Sequence, residues 1–440
     1  MINKEDQTKI QFYIIEKQII YYLKNIYRIL NLQVFLQIIN FILSIFVSAF
    51  LLFKNRRNIR ESDKIILGIN GGFGHTITMP DVARRLYAGR ITLIILSERG
   101  RHNWKIGEIW PEIEMIFLLK SIFWKRVQLF NFHSTILTKM VVMIINYYNS
   151  GDVLFAEDEP NLPGDNLLYN DLKIHYNNKG ILIKNVNDVP LNADWVVYWY
   201  RIIKDKQVRN PRLPNPVYIK FKEAIDRKIG NDIRFITIYS RQKGGPNSPT
   251  EYILNGGSFE DYRVIYEYLF DKGYAVFLVG DTNLEDCPDD LRMNIWDAGK
   301  LGFDKDWFSI AAVLNCERFV GDAGGGSWLS FLTDKPSLSI NSAPYSHGVP
   351  NHLLLYKCLI DSSNKEIPLN ECFQDYHWTT EFPDNYQLRN NNPDELLAAV
   401  EELFSVSPTN WKDYINPQNI FPRESWACQA PSRLAQIQMN

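Results

Sequence analysis

This chain has few cysteines, almost no net charge and no low-complexity segment. Only 5 of the 440 residues are cysteine, an odd number that includes no CxxC pair. This scarcity excludes a disulfide framework and a cysteine-based zinc site, and it favours a reducing compartment. The formal net charge is −2, from 48 basic and 50 acidic residues. A chain without an overall positive field is not expected to bind nucleic acid.

The composition is that of a folded protein with more than one core. Hydrophobic residues make up 46% of the chain, aromatic residues 13% and charged residues 22%. These fractions exclude a disordered or collagen-like chain. Because single domains rarely grow beyond about 250 residues, a chain of 440 residues predicts two domains.

One apolar run near the N-terminus is unusually long. Gln33 to Phe53 contains no charged residue and is about long enough to cross a bilayer as a helix, and the basic segment Lys54 to Arg60 follows at once. Residues 1–60 are therefore predicted to form a membrane anchor, with the rest of the chain held in the cytoplasm by the positive-inside rule. Polar residues dilute the run and the amphipathic stretch Ile10 to Leu32 precedes it, so an anchor lying in the membrane interface is the alternative.

After residue 60, short apolar runs alternate with helical patterns. Lys64 to Asn70 reads as a strand, Met79 to Ala88 as a helix and Ile91 to Leu96 as a second strand. The same rhythm starts again at Phe235 to Tyr239, with a helix predicted over Glu260 to Lys272. Such alternation is typical of parallel sheets joined by crossover helices. The predicted fold class is therefore α/β, with two Rossmann-like domains.

The domain limits are predicted where this alternation of strands and helices stops. We predict the first Rossmann-like domain over residues 61–215 and the second over residues 232–404. Prolines interrupt regular structure from Pro211 onward, so the segment up to Asp232 is expected to connect the two domains. Residues 405–440 contain aromatic residues and proline, and we expect this tail to pack back on the body.

Two glycine-rich turns carry the strongest chemical signals. Gly71-Gly72-Phe73-Gly74-His75 follows the first predicted strand and precedes a helix that Pro80 is expected to begin. It does not match GxGxxG, because Ile77 occupies the third glycine position. Such a turn suits close approach of a ligand to the backbone, and a tight strand-to-helix turn is the alternative interpretation.

The second turn reads Gly321-Asp322-Ala323-Gly324-Gly325-Gly326-Ser327 and lies between a strand and a predicted helix. Three consecutive glycines expose several backbone N–H groups toward one point, which suits a phosphate or diphosphate. Turn geometry alone would require one such glycine, so we favour anion binding at Gly324 to Ser327.

Charged side chains at predicted strand ends add to this pattern. Ser240, Arg241 and Lys243 follow the strand that begins at Phe235, where a cation would neutralise a diphosphate, although a solvated loop end is the ordinary alternative. The other strand-end residues are Gly280, Asp281 and Asp297. Carboxylates in such positions bind ribose or sugar hydroxyls in some proteins and cap the next helix in others.

These motifs resemble those of GT-B glycosyltransferases. The stretch from Gly273 to Pro336 is similar to a family of bacterial glycosyltransferases of uncharacterised specificity. Gly74-His75 through Leu86 looks like the first loop and helix of heptosyltransferases, with His75 standing where that family has its proposed catalytic aspartate. Arg241 falls where fucosyltransferase-like enzymes place an arginine.

The resemblance implies transfer of a sugar from a nucleotide sugar to a glycan or lipid-linked acceptor in bacterial surface polysaccharide synthesis, at the inner membrane and without a metal. His75 and Arg241 are the predicted catalytic residues. The predicted donor-binding residues are Ser240, Lys243, Gly280, Asp281, Asp297, Asp322, Gly324, Gly325, Gly326 and Ser327. The predicted acceptor-side residues are Gly72, Gly74, Glu157 and Asp158.

Alternatives stay open at this point. Glu157 and Asp158 are rivals of His75 as the base, and they also resemble the metal-binding acidic pair of GT-A enzymes, which would make the reaction metal-dependent. A nucleotide-sugar epimerase shares the two-domain architecture. A non-catalytic membrane-bound scaffold would keep the fold without needing Arg241 or His75. An NAD-dependent oxidoreductase would need a proper GxGxxG, which is absent.

Overall fold

The computed structural model describes most of the predicted body. The described residues are 32–69, 73–98, 103–121, 131–149, 153–155, 210–241, 256–322, 324–333, 335–343, 352–369, 371–372 and 386–411. Two parallel sheets dominate these segments, and they confirm the predicted α/β architecture.

The first sheet has four parallel strands in the order β3-β2-β1-β4. They are β1 (Lys64–Ile69), β2 (Ile91–Glu98), β3 (Ile113–Ser121) and β4 (Val153–Phe155). The helices of this part are α1 (Leu32–Lys54), α2 (Arg56–Arg60), α3 (Phe73–Leu86) and α4 (Asn131–Tyr148), with a 3₁₀ helix over Trp104–Ile109. The strands are nearly continuous runs of isoleucine and leucine because helices cover both faces of the sheet.

The second sheet has six parallel strands in the order β10-β9-β8-β5-β6-β7. They are β5 (Phe235–Ser240), β6 (Ala275–Gly280), β7 (Ile295–Trp296), β8 (Arg318–Asp322), β9 (Ser337–Ser342) and β10 (His352–Tyr356). An antiparallel pair, β11 (Cys358–Ile360) and β12 (Gln387–Arg389), follows. The helices are α5 (Asn215–Lys228), α6 (Arg263–Asp271), α7 (Asp289–Arg292), α8 (Ala298–Leu301), α9 (Lys305–Asn315), α10 (Gly325–Phe331) and α11 (Pro393–Ser405).

Three apolar cores hold these layers together. Helices α1 and α4 pack on one face of the first sheet, through residues such as Leu52 and Val141. Helices α6 and α11 pack on one face of the second sheet. The remaining faces share a single core, in which α3 packs against α10. The helices that follow the two glycine-rich turns therefore lie side by side.

The predicted N-terminal anchor is corrected by the packing of α1. Among the helices described, none combines the length and apolar composition that crossing a bilayer requires. Asn40, Ser44 and Ser48 recur every four residues, so they share one helix face, and that face is fully buried against the domain. The membrane-spanning helix predicted over Gln33 to Phe53 is not found; the same residues form α1, which packs on the first sheet.

Two local expectations also change. Helix α3 begins at Phe73, so Gly74 and His75 belong to its first turn and Pro80 lies inside the helix instead of starting it. The segment predicted only to connect the domains forms α5. Pro216 lies in the first turn of this helix, where proline is favoured. Residues after Trp411, where most of the predicted tail falls, lie outside the described part of the chain.

Phe221 shows why α5 belongs to the core. Its side chain is 1% exposed and its ring contacts those of Phe235, Phe277, Phe303 and Phe308, with centroids 5.3 to 6.4 Å away. A helix that only connected two domains would not bury an aromatic ring in this way.

Truncating this ring tests the role of α5. We expect Phe221→Ala to lower the free energy of unfolding by about 3–5 kcal/mol, because it removes a large buried side chain and leaves a cavity. Tyr218→Ala, on the same helix at a side chain that is 45% exposed, is the matched control and should change stability by less than about 0.5 kcal/mol. Urea denaturation followed by circular dichroism measures both. Equal effects of the two changes would contradict the assignment of α5 to the core.

Candidate active site

The predicted donor residues gather at one edge of the second sheet. Arg241 follows β5, Asp281 follows β6 and Asp322 ends β8. Strands β5, β6 and β8 are neighbours in this parallel sheet, so their carboxyl ends meet at the same edge. Ligands of open α/β sheets bind beyond the carboxyl ends of the strands. This carboxyl edge is therefore the candidate site.

Asp322 is the buried centre of this edge. Its side chain has no exposed surface, and its carboxylate accepts a hydrogen bond from the backbone N–H of Arg241 at 2.8 Å. The Tyr262 hydroxyl donates to the same carboxylate, and the Asn341 side-chain amide lies 3.4 Å from it. A side chain at Gly256 would collide with the Asp322 carboxylate. Asp322 thus ties the loop after β5 to α6 and to the end of β9.

Burial dominates the electrostatics of this group. It raises the pKa of Asp322 to about 6, although the hydrogen bonds from Tyr262 and Arg241 act in the opposite direction. Lys357 is 3% exposed, and burial lowers its pKa to about 8 while the charge of Asp322 opposes that change. In this conformation the Asp322 carboxylate is used by protein donors and is not presented to a ligand.

A pair of asparagines closes the network on the β9 side. The backbone N–H of Asn341 donates to the side chain of Asn391 at 2.7 Å, and the backbone N–H of Asn391 donates to the side chain of Asn341 at 2.8 Å. Asn341 adopts a left-handed backbone conformation with φ of 48°, which asparagine tolerates better than most residues. These reciprocal bonds fix the end of β9 to the start of α11.

Tyr239 explains part of the glycine run. A Cβ atom at Gly326 would lie 2.5 Å from a carbon of the Tyr239 ring, and one at Gly324 would lie 2.8 Å from the Tyr239 hydroxyl. The Gly326 backbone N–H donates to that hydroxyl, and burial raises the pKa of Tyr239 to about 12. The turn therefore needs more than one glycine for packing alone. Anion binding at Gly324 to Ser327 stays a prediction, with Tyr239 as a protein group that already uses one of its N–H donors.

The Arg241 side chain differs from its neighbours in the contacts it makes with the described residues. The residue is half-buried, and its guanidinium has no hydrogen-bond or ion-pair partner among the described residues. Its backbone is held firmly, since its N–H donates to Asp322 and its carbonyl accepts from Gly256 at 2.7 Å. A cation on a fixed backbone at the carboxyl edge is suited to an anionic ligand.

Structural roles account for three of the other predicted donor residues, Asp297, Ser327 and Gly280. Asp297 caps α8 by accepting from the Lys300 N–H at 2.7 Å, and the Ser327 hydroxyl donates to the Asp322 carbonyl at 2.8 Å. Gly280 has φ of 115° and leaves no room for a side chain against the backbone of Ser240, which is itself buried. Asp281 is exposed after β6, and Gly325 begins α10 half-buried.

Several predicted residues lie partly or wholly outside the described part of the chain. Gly72, Glu157, Asp158 and Lys243 are not among the described residues. Gly74 and His75 are placed in the first turn of α3, but the His75 side chain is outside the description. The helix that carries His75, α3, packs against α10, the helix that follows the second glycine-rich turn.

One cluster has the donor atoms of a metal site but not its electrostatics. Ligand atoms of Cys358, Glu366 and Glu395 lie within 4.8 Å of one another. The Arg389 guanidinium nitrogen Nη2 donates to all three, at 2.9, 2.6 and 2.9 Å respectively. Burial raises the pKa of Cys358 to about 12, so the cysteine is a neutral thiol beside this guanidinium. A guanidinium fills the centre of this cluster, so the cluster does not fit a metal ion.

Sequence patterns missed the residues that shape the edge. No recognisable motif surrounds Tyr262 or Asn341. They contact Asp322 across sequence separations of 60 and 19 residues, respectively. Tyr239 stands directly before the predicted Ser240-Arg241 pair. Its place as an aromatic residue at the end of a predicted strand is the one signal in the sequence that points to it.

Comparison with known proteins gives similarity to glycosyltransferases. No family model matches the chain, and no curated protein matches it. A glycosyl transferase family 9 structure from Veillonella parvula is similar at 13% identity and a TM-score of 0.45, over 78% of this chain and 98% of that one. The E. coli ADP-heptose LPS heptosyltransferase II is similar at 11% identity and a TM-score of 0.40, over 66% of this chain and 90% of that one.

A further similar structure is the iron-containing dodecameric glycosyltransferase TibC from enterotoxigenic E. coli, at 13% identity and a TM-score of 0.37, over 78% of this chain and 76% of that one. The motifs of the sequence predict such a resemblance. At these identities and TM-scores it carries no information on substrate or mechanism.

The pH dependence of stability tests the Asp322 network. Because burial raises the pKa of Asp322 to about 6, above the value of about 3.9 in an unfolded chain, the native state binds the proton more tightly between these values. Raising the pH through this interval should lower the free energy of unfolding by about 3 kcal/mol relative to the Asp322→Asn variant. Urea denaturation between about pH 4 and pH 7 measures this difference.

Tyr262→Phe provides the second arm of this test. It removes a hydrogen bond that lowers the pKa of Asp322, so the loss of stability should extend to higher pH than in the wild type. Parallel pH profiles for the wild type and Asp322→Asn would contradict the buried-carboxylate assignment.

Proposed function

We propose that this protein is a glycosyltransferase that moves a sugar from a nucleotide-sugar donor to a glycan or lipid-linked acceptor in bacterial surface polysaccharide synthesis. The observation that carries the proposal is the half-buried Arg241 guanidinium, which has no partner among the described residues and stands at the carboxyl edge of the second sheet. That edge is where doubly wound sheets bind nucleotides.

The reaction gives Arg241 its role. As the bond between the sugar anomeric carbon and the diphosphate oxygen breaks, negative charge grows on the phosphate oxygens and positive charge on the sugar ring. A guanidinium that contacts the leaving diphosphate stabilises the transition state more than the ground state, since the attraction increases with that charge. In the proposed reaction this cation, with Lys243 and the Gly324 to Ser327 backbone, takes the place of a metal.

The acceptor side is assigned to the first domain. The acceptor hydroxyl attacks the anomeric carbon and transfers its proton to a base. We assign this role to His75, because histidine commonly acts as a general base and because His75 directly follows the first glycine-rich turn in the sequence. Support comes from the contact of α3, the helix that begins at Phe73, with α10 at the second glycine-rich turn. Glu157 and Asp158 are the rival bases of this proposal.

A panel of nucleotide sugars tests whether the edge binds a donor at all. A donor at about 100 times its dissociation constant stabilises the native state by roughly 2.7 kcal/mol, which a thermal-shift assay detects. The panel would include uridine, adenosine, guanosine and cytidine donors. Absence of stabilisation by all of them would overturn the proposal.

With a donor identified, Arg241→Ala tests the mechanism. We expect turnover to fall by about 100-fold or more, because the variant loses an electrostatic contact that strengthens in the transition state. Arg227→Ala is the matched control: this exposed arginine is on α5, which leads into the amino end of β5, at the opposite edge of the sheet. Release of the nucleoside diphosphate measures turnover for both. Full activity of Arg241→Ala would exclude the assigned role, and donor conversion without any acceptor would indicate an epimerase.

A further inference from the structure

Helix α1 carries large apolar side chains on its exposed side. Its buried face carries Asn40, Ser44, Ser48 and Leu52, all with no exposed surface. Its outer face is a stripe of large apolar side chains that are 45 to 68% exposed. The stripe consists of Ile38, Ile42, Phe46, Phe50 and Phe53.

Helix α4 extends this stripe sideways. Ile136, Met143 and Tyr147 are 44, 67 and 84% exposed, and their spacing places them on one helix face. Helices α1 and α4 touch each other and pack into the same core on the same face of the first sheet. Their outer faces are therefore adjacent, and together they carry eight large apolar side chains that are exposed.

The stripe ends in a basic cavity. Lys54, Arg56, Arg57, Arg60 and Glu61 line a space of about 450 Å³. Four cations and one carboxylate give this lining a net charge of +3. Arg57 pairs with Glu61 at 2.7 Å, whereas no ion-pair partner of Lys54, Arg56 or Arg60 is found among the described residues.

Arg56 joins the two parts of this surface. Its guanidinium lies 4.4 Å from the ring centroid of Phe53, the last residue of the stripe, and donates to the Phe53 carbonyl at 3.1 Å. Apolar and cationic groups are therefore in direct contact where α1 ends.

We propose that this surface docks on a bilayer that contains anionic phospholipids. Exposed aromatic and aliphatic side chains would enter the boundary between headgroups and acyl chains, while the basic cavity would hold lipid phosphates. Charge complementarity favours this occupant, because a lipid surface supplies apolar chains and negative charge side by side. The helix would lie in the interface without crossing it. Such docking is independent of the proposed glycosyl transfer, because binding to vesicles can be measured without any enzyme assay.

Vesicle co-sedimentation of the full chain tests the proposal. Vesicles of phosphatidylcholine alone are compared with equimolar phosphatidylcholine and phosphatidylglycerol, and the full chain should bind the anionic vesicles more tightly. The double variant Phe46→Ser/Phe50→Ser should lower the partition coefficient at least about tenfold on both vesicle types, since burial of apolar area drives insertion. The matched control, Tyr218→Ser/Ile219→Ser, removes two exposed apolar side chains on α5 and should bind as the wild type does.

A charge variant tests the cavity separately. Arg56→Gln/Arg60→Gln should lower binding to anionic vesicles by about 25-fold, because each cation near such a surface contributes a factor of about five. It should change binding to phosphatidylcholine little. Lys222→Gln/Lys228→Gln removes two exposed cations on α5 and should leave both affinities unchanged.

Three outcomes would overturn the proposal. They are failure of the wild type to sediment with either vesicle, equal binding of Phe46→Ser/Phe50→Ser and wild type, and retention of the full anionic preference by Arg56→Gln/Arg60→Gln. Analytical ultracentrifugation without lipid adds a fourth. If the wild type is a dimer that Phe46→Ser/Phe50→Ser converts to a monomer, and neither binds vesicles, the stripe is a contact between two copies.

Discussion

The buried carboxylate of Asp322 is the constraint around which the candidate site is arranged. It receives hydrogen bonds from the backbone of Arg241 and the hydroxyl of Tyr262, and it lies beside Asn341. A buried charge is costly unless donors surround it, so these donors are not free to move away from it. The loop after β5, the start of α6 and the end of β9 are thereby held at one point.

This arrangement separates groups that build the edge from groups that remain for a ligand. Tyr239 fills the space above Gly324 and Gly326, and Ser327 is bonded to the backbone of Asp322. Arg241 shares the fixed backbone but keeps its guanidinium unpaired among the described residues. A fixed backbone limits how far the guanidinium must move to reach a negative charge, and such positioning favours electrostatic stabilisation of that charge.

The sequence predicts the parallel sheets well because alternating apolar runs report directly on strands that are covered on both faces. It predicts less where a feature depends on distant partners. The apolar content of Gln33 to Phe53 gave no indication that Asn40, Ser44 and Ser48 would be the buried face. The sequence does not reveal that Tyr239 packs on the glycine run, because Tyr239 is 85 residues before Gly324 and meets it only in the folded chain. It likewise does not reveal that protein donors, and not a ligand, surround the Asp322 carboxylate.

The proposed function depends on the binding of a nucleoside diphosphate by Arg241 at the carboxyl edge of the second sheet. Crystals of the protein grown with UDP, ADP, GDP or CDP test it directly. We expect electron density for the diphosphate within hydrogen-bond distance of the Arg241 guanidinium, about 2.7–3.2 Å, and beside the Gly324 to Ser327 turn. A nucleotide bound elsewhere, with the Arg241 side chain turned away from it, would contradict the assignment of Arg241 to diphosphate binding.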